Sequence, residues 1–387
     1  MGVRHCGTSD AVAHDITFEF CLSNPQLKKD PMTKSSARLD ALLHALPGAG
    51  GCLAAGSILS TLRGRRLRGP PSIFVALGVG VGVFRYVNHR RGNKKSKTAA
   101  WVASIVLFKL CSDDHRFILL SYACVETLAQ FYAAHRCLPW LAEQGVSMAI
   151  VSRLVYANLV HPEWMLPAHL HMMDHQSSLR RGRLEAIRAN LHSNATTRCT
   201  SLHPARTCAA FAHATSLKLV RRSAEIFVPL HGLSLAYTLC VTHQSIDVGR
   251  AVVDCGRSML FMTASYLLAY STSCVLPQTQ CDNKRMIFFT SLAPFLAQYI
   301  EPTRRRAAIV KAVACYSLIT VLIQLKTRYI RLPRETWLKL GALVFASCMT
   351  YILQHPERQS RAFIEYVYGY KTAKERPTQT NPKARVA

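Results

Sequence analysis

Apolar residues in this chain come in blocks, separated by short polar and basic connections. Stretches such as "SIFVALGVGVGVF", "AVACYSLITVLIQL" and "LGALVFASCMTYIL" carry no charge. Each approaches the roughly 20 apolar residues that cross a hydrocarbon core as a helix. Five such segments fall near 40–62, 71–88, 99–112, 116–134 and 145–161, and five more near 224–243, 252–277, 286–300, 306–325 and 337–354. The pattern predicts an all-α, multi-pass transmembrane helical bundle made of two repeats of about five helices. It divides the chain into a polar N-terminal arm (1–38), a first transmembrane repeat (39–161), a polar basic linker with a His/Cys motif (162–222), a second repeat (223–356) and a basic disordered tail (357–387).

Internal matches support the two-repeat division. "LLSYACVETLAQFY" (Leu119 to Tyr132) aligns with "VKAVACYSLITVLI" (Val310 to Ile323) at an offset of 191, superposing Ala123-Cys124 on Ala314-Cys315. "VYANLVHPE" and "MTYILQHPE" end at Glu163 and Glu357, an offset of 194. Two matches at nearly one offset point to a duplication. With an odd number of spans per half, the second half inserts upside down, as in many transporters; an even count gives parallel halves. Basic residues flank the segments on both sides, so charge asymmetry leaves that choice open.

Composition agrees with a membrane. Of the 387 residues half are hydrophobic and only 18% are charged, low for a soluble globular chain. Lys and Arg outnumber Asp and Glu by 48 to 21, a formal charge of +27. That charge sits just outside apolar segments, in "RGRRLR", "HRRGNKKSK", "RRGR" and "RRR", where it meets anionic headgroups. The expected partners are therefore membrane lipids and other membrane proteins, not nucleic acid: no zinc-finger spacing or aromatic RNA-binding signature accompanies the charge.

The chain holds 14 cysteines. Cys52, Cys111, Cys124, Cys240, Cys274, Cys315 and Cys348 lie in apolar segments, where a thiol behaves as a small buried hydrophobe. "CTSLHPARTC" differs: Cys199, His203 and Cys208 bring three soft donors into ten residues of polar linker. "HLHMMDH" adds His169, His171, Asp174 and His175 nearby. Zinc is chemically possible there, but two cysteines and one histidine are one ligand short of a closed site. The reading therefore assigns no resident metal or cofactor and gives His203-Pro204 the role of turning the chain into the next helix.

Gly78 and Gly82 form a small-x-x-x-small pair that lets another helix approach closely. Glu126 and Arg153 each place a charge inside an apolar segment, where such groups face a bundle interior and often pair. As a pair they are candidates to line a solute path; as a structural clasp they need no solute. No Gly-x-Ser-x-Gly elbow, His-Glu-x-x-His or Walker lysine occurs, so the chain is not expected to be an enzyme.

Several stretches resemble the transmembrane protein 135 family. They are "HPARTCAAFAHATSLKLVRRSAEIFVPLHGLSLAYTL" (His203 to Leu239), "APFLAQYIEPTRRRAAIVKAVACYSLITVLIQL" with "YILQHPE", and "KTAAWVASIVLFKLCSDDHRFILLSYACVETLAQFY". The resemblance covers about 40–360. It implies a multi-pass membrane protein of peroxisomes, mitochondria or lipid droplets concerned with organelle organisation or lipid handling, distantly related to Tim-type translocase channels. The chain departs from the translocases in lacking glycine from Trp101 to Cys111, with Gly48, Gly51, Gly56, Gly78, Gly80 and Gly82 elsewhere, which counts against a translocase-like pore. A solute or lipid transporter with its path at the repeat interface is the alternative. The implied peroxisomal or mitochondrial placement also predicts that Cys199 and Cys208 stay reduced and that the "NAT" acceptor pattern at Asn194 goes unglycosylated.

Overall fold

The computed structural model describes residues 34–64, 70–92, 96–135, 138–193, 196–237, 239, 247–278, 283–329, 332–359 and 361–369. Asn194, the arm before residue 34 and the tail beyond 369 lie outside the described residues. Described regular structure is helical throughout: α1 (Lys34–Gly64), α2 (Ser72–Arg90), α3 (Lys97–Leu110), α4 (Asp113–His135), α5 (Trp140–Val160), α6 (Pro167–Gln176), α7 (Arg181–Ser193), α8 (Arg198–Leu202), α9 (Cys208–Tyr237), α10 (Val248–Val275), α11 (Asn283–Thr290), α12 (Thr303–Gln324), α13 (Arg334–Gln354) and α14 (Arg361–Tyr368). A tight 3₁₀ run, Ala293–Ile300, follows α11.

Ten apolar segments were expected; among the described residues five helices are long and apolar enough to cross a membrane, at Arg38–Ser60, Ser72–Arg90, Asp113–His135, Arg305–Tyr329 and Arg334–Gln354. The shortfall has local causes. The α3 helix has only 14 residues, and the segment near 286–300 is split between α11 and the 3₁₀ run. Of the segment near 224–243 only 224–237 lies in α9, after Lys218, Arg221 and Arg222, and residues 240–246 are outside the described residues. Tyr266, Ser271, Thr272 and Ser273 dilute the apolar part of α10, as Glu143, Gln144, Arg153 and Asn158 dilute α5.

Helix α1 lies along α2, and glycine makes the approach possible. A Cβ on Gly78 would stand 3.0 Å from the Ala49 carbonyl oxygen, and one on Gly82 would stand 3.4 Å from the Ala49 Cβ. Gly78 thus faces backbone at a distance tighter than ordinary contact, whereas the space beside Gly82 would admit a methyl group. Beyond α2 comes α3, and α13 covers α3 and α4, with Phe108, Leu120, Ala123, Phe345 and Ile352 buried between them. In the other half of the chain α9 lies along α10, and α5 covers α12, with Leu154 and Ala157 packed against Val313 and Tyr316. The long helix that closes each half thus rests on the opposite half, while α4 and α12 meet each other.

The segment read as a polar linker is folded. Helix α7 carries Leu184, Ile187 and Leu191 at spacings of three and four, one face of a helix; Ile187 and Leu191 join Val160, Leu202, Phe211 and Ile287 in a core cluster. The expected linker boundary at residue 222 falls inside α9. Part of the expected disordered tail is likewise ordered: in α14, Val367 and Tyr368 are 8% and 1% exposed. Its terminal carbonyls are held by α2 and α1, since Arg85 Nε donates to Tyr366 O (3.1 Å) and His44 Nε2 meets Tyr368 O (3.2 Å).

Candidate metal centre

Helix α8 is a single turn that organises the His/Cys motif. Thr197 caps it by accepting the Thr200 amide, and His203 ends it with its own amide on the Cys199 carbonyl (2.9 Å). One helical turn separates Cys199 from His203, so their side chains share a face, with Sγ 3.0 Å from Nε2. Pro204 then reverses the chain, and Cys208 opens α9 with its Sγ 3.3 Å from that of Cys199.

A fourth donor comes from a distant helix. Cys274, at the C-terminal end of α10, places its Sγ 3.3 Å from His203 Nε2. The donor atoms of Cys199, His203, Cys208 and Cys274 all lie within 4.8 Å of one another. From sequence, Cys274 lies in an apolar run and reads as a core thiol, which leaves the motif one ligand short.

The groups around this cluster orient it. His203 is 5% exposed, and its Nδ1 lies 2.9 Å from the Arg206 carbonyl oxygen. A carbonyl only accepts, so Nδ1 carries the hydrogen and Nε2 presents its lone pair to the sulfurs. Arg198 donates to the carbonyls of Leu276 (3.2 Å) and Pro277 (2.5 Å), and the Cys199 amide donates to Gln278 Oε1 (3.1 Å). Gln278 Nε2 donates in turn to Ser273 O, Cys274 O and Leu276 O. Burial, with the neighbouring Cys208, raises the pKa of the Cys199 thiol above its ordinary value. Three sulfurs and one imidazole nitrogen are a donor set suited to a soft or borderline metal in tetrahedral geometry.

The residues of "HLHMMDH" have other neighbours. Asp174 is held by Arg188 (2.6 and 3.1 Å) and by Asn158 (3.3 Å). His169 packs edge-on against Tyr316, and burial lowers its pKa. His171 and His175 stack on each other on α6.

Glu126 and Arg153 do not pair. Glu126, 9% exposed on α4, accepts from Lys311 Nζ on α12 at 2.7 Å and from Gln130 at 3.1 Å. Arg153 on α5 donates to Thr320 Oγ1 (3.1 Å) and Gln324 Oε1 (2.6 Å) of α12, with its guanidinium 4.7 Å from the centre of the Trp164 ring. Charges inside apolar segments suggest the pairing; packing of α4 and α5 on different parts of α12 separates the two. Lys311 went unnoticed because it follows "RRR" at the polar start of its helix.

Family models, curated proteins and solved structures give no match to this chain.

Proposed function

We propose that this chain is a non-enzymatic, multi-pass membrane protein of the peroxisome or mitochondrion, similar to transmembrane protein 135, acting in organelle organisation or lipid handling. The observation that carries the membrane reading is the exposure of its apolar helices. In the five span-capable helices only 17% to 39% of the most apolar stretch is buried. On α1 alone Leu39, Leu42, Leu43, Leu46, Ile58 and Leu59 are each more than half exposed. Faces of that size and apolarity need hydrocarbon or a partner around them.

The reading includes two copies of one helical unit, supported by matching local details at an offset of 194. Helices α5 and α13 both have 21 residues and both follow a proline, Pro139 and Pro333. Both stop at a histidine, His161 (φ −134°, ψ 61°) and His355 (φ −114°, ψ 61°), and continue as a 3₁₀ turn begun by Pro-Glu. After each turn a short helix, α6 or α14, has its C-terminal carbonyls capped from the other half: Tyr270 on α10 donates to Ser177 O at 2.7 Å, and Arg85 on α2 to Tyr366 O. The organelle assignment rests on the resemblance in sequence.

Fractionation of cells expressing a tagged copy tests this. The protein is expected to remain in peroxisomal or mitochondrial membranes through alkaline carbonate washing. Release into the wash, or residence in the secretory pathway with Asn194 glycosylated, would contradict it.

Transport is the second reading, favoured by the Glu126–Lys311 pair where α4 meets α12, between the two halves. Intramembrane ion pairs of this kind commonly mark solute paths. Reconstituted flux that is saturable and lost in Glu126→Gln would support transport, whereas flux unaffected by that change would leave the pair a clasp.

A further inference from the structure

We propose that Cys199, His203, Cys208 and Cys274 together bind one zinc ion in a closed Cys₃His site that fastens the α8–α9 turn to the end of α10. With Zn–S near 2.3 Å and Zn–N near 2.0 Å, the donors of a tetrahedral site stand about 3.5–3.8 Å from one another. Here the short separations are 3.0, 3.3 and 3.3 Å and the longest is at most 4.8 Å. A shift of well under 1 Å per side chain therefore makes the set regular.

Three observations argue for a metal over a chance gathering of thiols. The donors arrive from three separate elements: the α8 turn, the start of α9 and the end of α10. The histidine tautomer is set by Arg206 so that its free lone pair faces the sulfurs, the arrangement by which metal-bound histidines are held. The surrounding backbone is tied down by Arg198 and Gln278, so the donors are positioned before any ion arrives. A Cys199–Cys208 disulfide would use two donors and leave His203 Nε2 aimed at Cys274 without purpose.

Zinc is favoured because its d¹⁰ shell accepts this geometry without preference and mixed S/N sets of four are its usual structural sites. With four protein ligands no coordination position stays open, so the role is structural. Binding releases one proton from each of three thiols, and the resulting centre carries a net charge of −1. Arg198, next to Cys199 in sequence and hydrogen-bonded to the Leu276 and Pro277 carbonyls beyond α10, brings a positive charge to that centre. The ion would join residues 71 positions apart in sequence, closing a long loop across the central region.

The test uses full-length protein, purified in detergent under reducing conditions without chelators. Elemental analysis is expected to find one zinc per chain. Exchange with Co²⁺ is expected to give the intense visible bands of a tetrahedral centre with sulfur-to-cobalt charge transfer. Cys274→Ser should reduce bound metal to background, and His203→Cys should retain it through a Cys₄ set. Should Cys274→Ser not fold, the wild-type stoichiometry and cobalt spectrum decide the matter alone. Folded wild-type protein without zinc that takes up no cobalt would overturn the proposal. So would copper or iron in zinc's place, a Cys199–Cys208 disulfide in freshly isolated membranes, or full zinc retention by a folded Cys274→Ser variant.

Discussion

Gly78 and Gly82 lie one turn apart on α2 and face the same residue, Ala49, yet the room beside them differs. At Gly78 an added Cβ would meet the Ala49 carbonyl oxygen at 3.0 Å, and backbone gives way poorly; at Gly82 the nearest atom is a methyl at an ordinary 3.4 Å. Gly78→Val should therefore destabilise the protein by about 1–3 kcal/mol, the usual range for overpacking, while Gly82→Ala should be nearly neutral. Thermal unfolding in detergent reads the difference, and equal effects at the two sites would contradict this account of α1–α2 packing. The charged residues teach a related lesson. Glu126 and Arg153 were visible in the sequence because they interrupt apolar runs, but their partners were not. Lys311 begins its helix among other cations, and Thr320 and Gln324 look like unremarkable polar positions until α12 brings them to Arg153.

At the scale of elements, short helices account for most of what periodicity did not reveal. Helix α14 has eight residues inside a segment whose continuation is basic and proline-containing, and that continuation dominates the reading of the whole tail. Tyr368 is 1% exposed, packs edge-on against Phe84 with ring centres 5.1 Å apart, and donates its hydroxyl to the Leu353 carbonyl. Tyr368→Ala should cost about 3–5 kcal/mol, as removal of a buried aromatic does. The loss should appear in thermal unfolding together with faster proteolysis near the C-terminus; an unchanged melting curve would mean that α14 does not dock. The metal cluster divides along similar lines. Cys199, His203 and Cys208 were legible because one turn of helix and one proline bring them together. Cys274 was not, because a thiol in an apolar run has no local feature that distinguishes a ligand from a packing residue. Long helices with uninterrupted apolar stretches, such as α12 and α13, were recognised with nearly their observed bounds.

At the scale of the whole molecule, the halves do not sit side by side: α13 rests on α3 and α4, and α5 rests on α12. No pattern within either half announces that exchange, because an apolar face records that it is buried and not what buries it. The two-copy membrane account depends on the exchange, and the chain carries a native probe of it. Cys124 on α4 and Cys348 on α13 lie 224 positions apart in sequence with their sulfurs 3.8 Å from each other. Oxidative cross-linking of carbonate-washed membranes containing the unmodified full-length protein, followed by non-reducing peptide mapping, measures their proximity directly. The account predicts that the protein stays in the washed membranes and that Cys124 and Cys348 form the dominant new bridge within one chain. Protein lost to the wash, or Cys348 bridged to a different cysteine while Cys124 stays free, would contradict it.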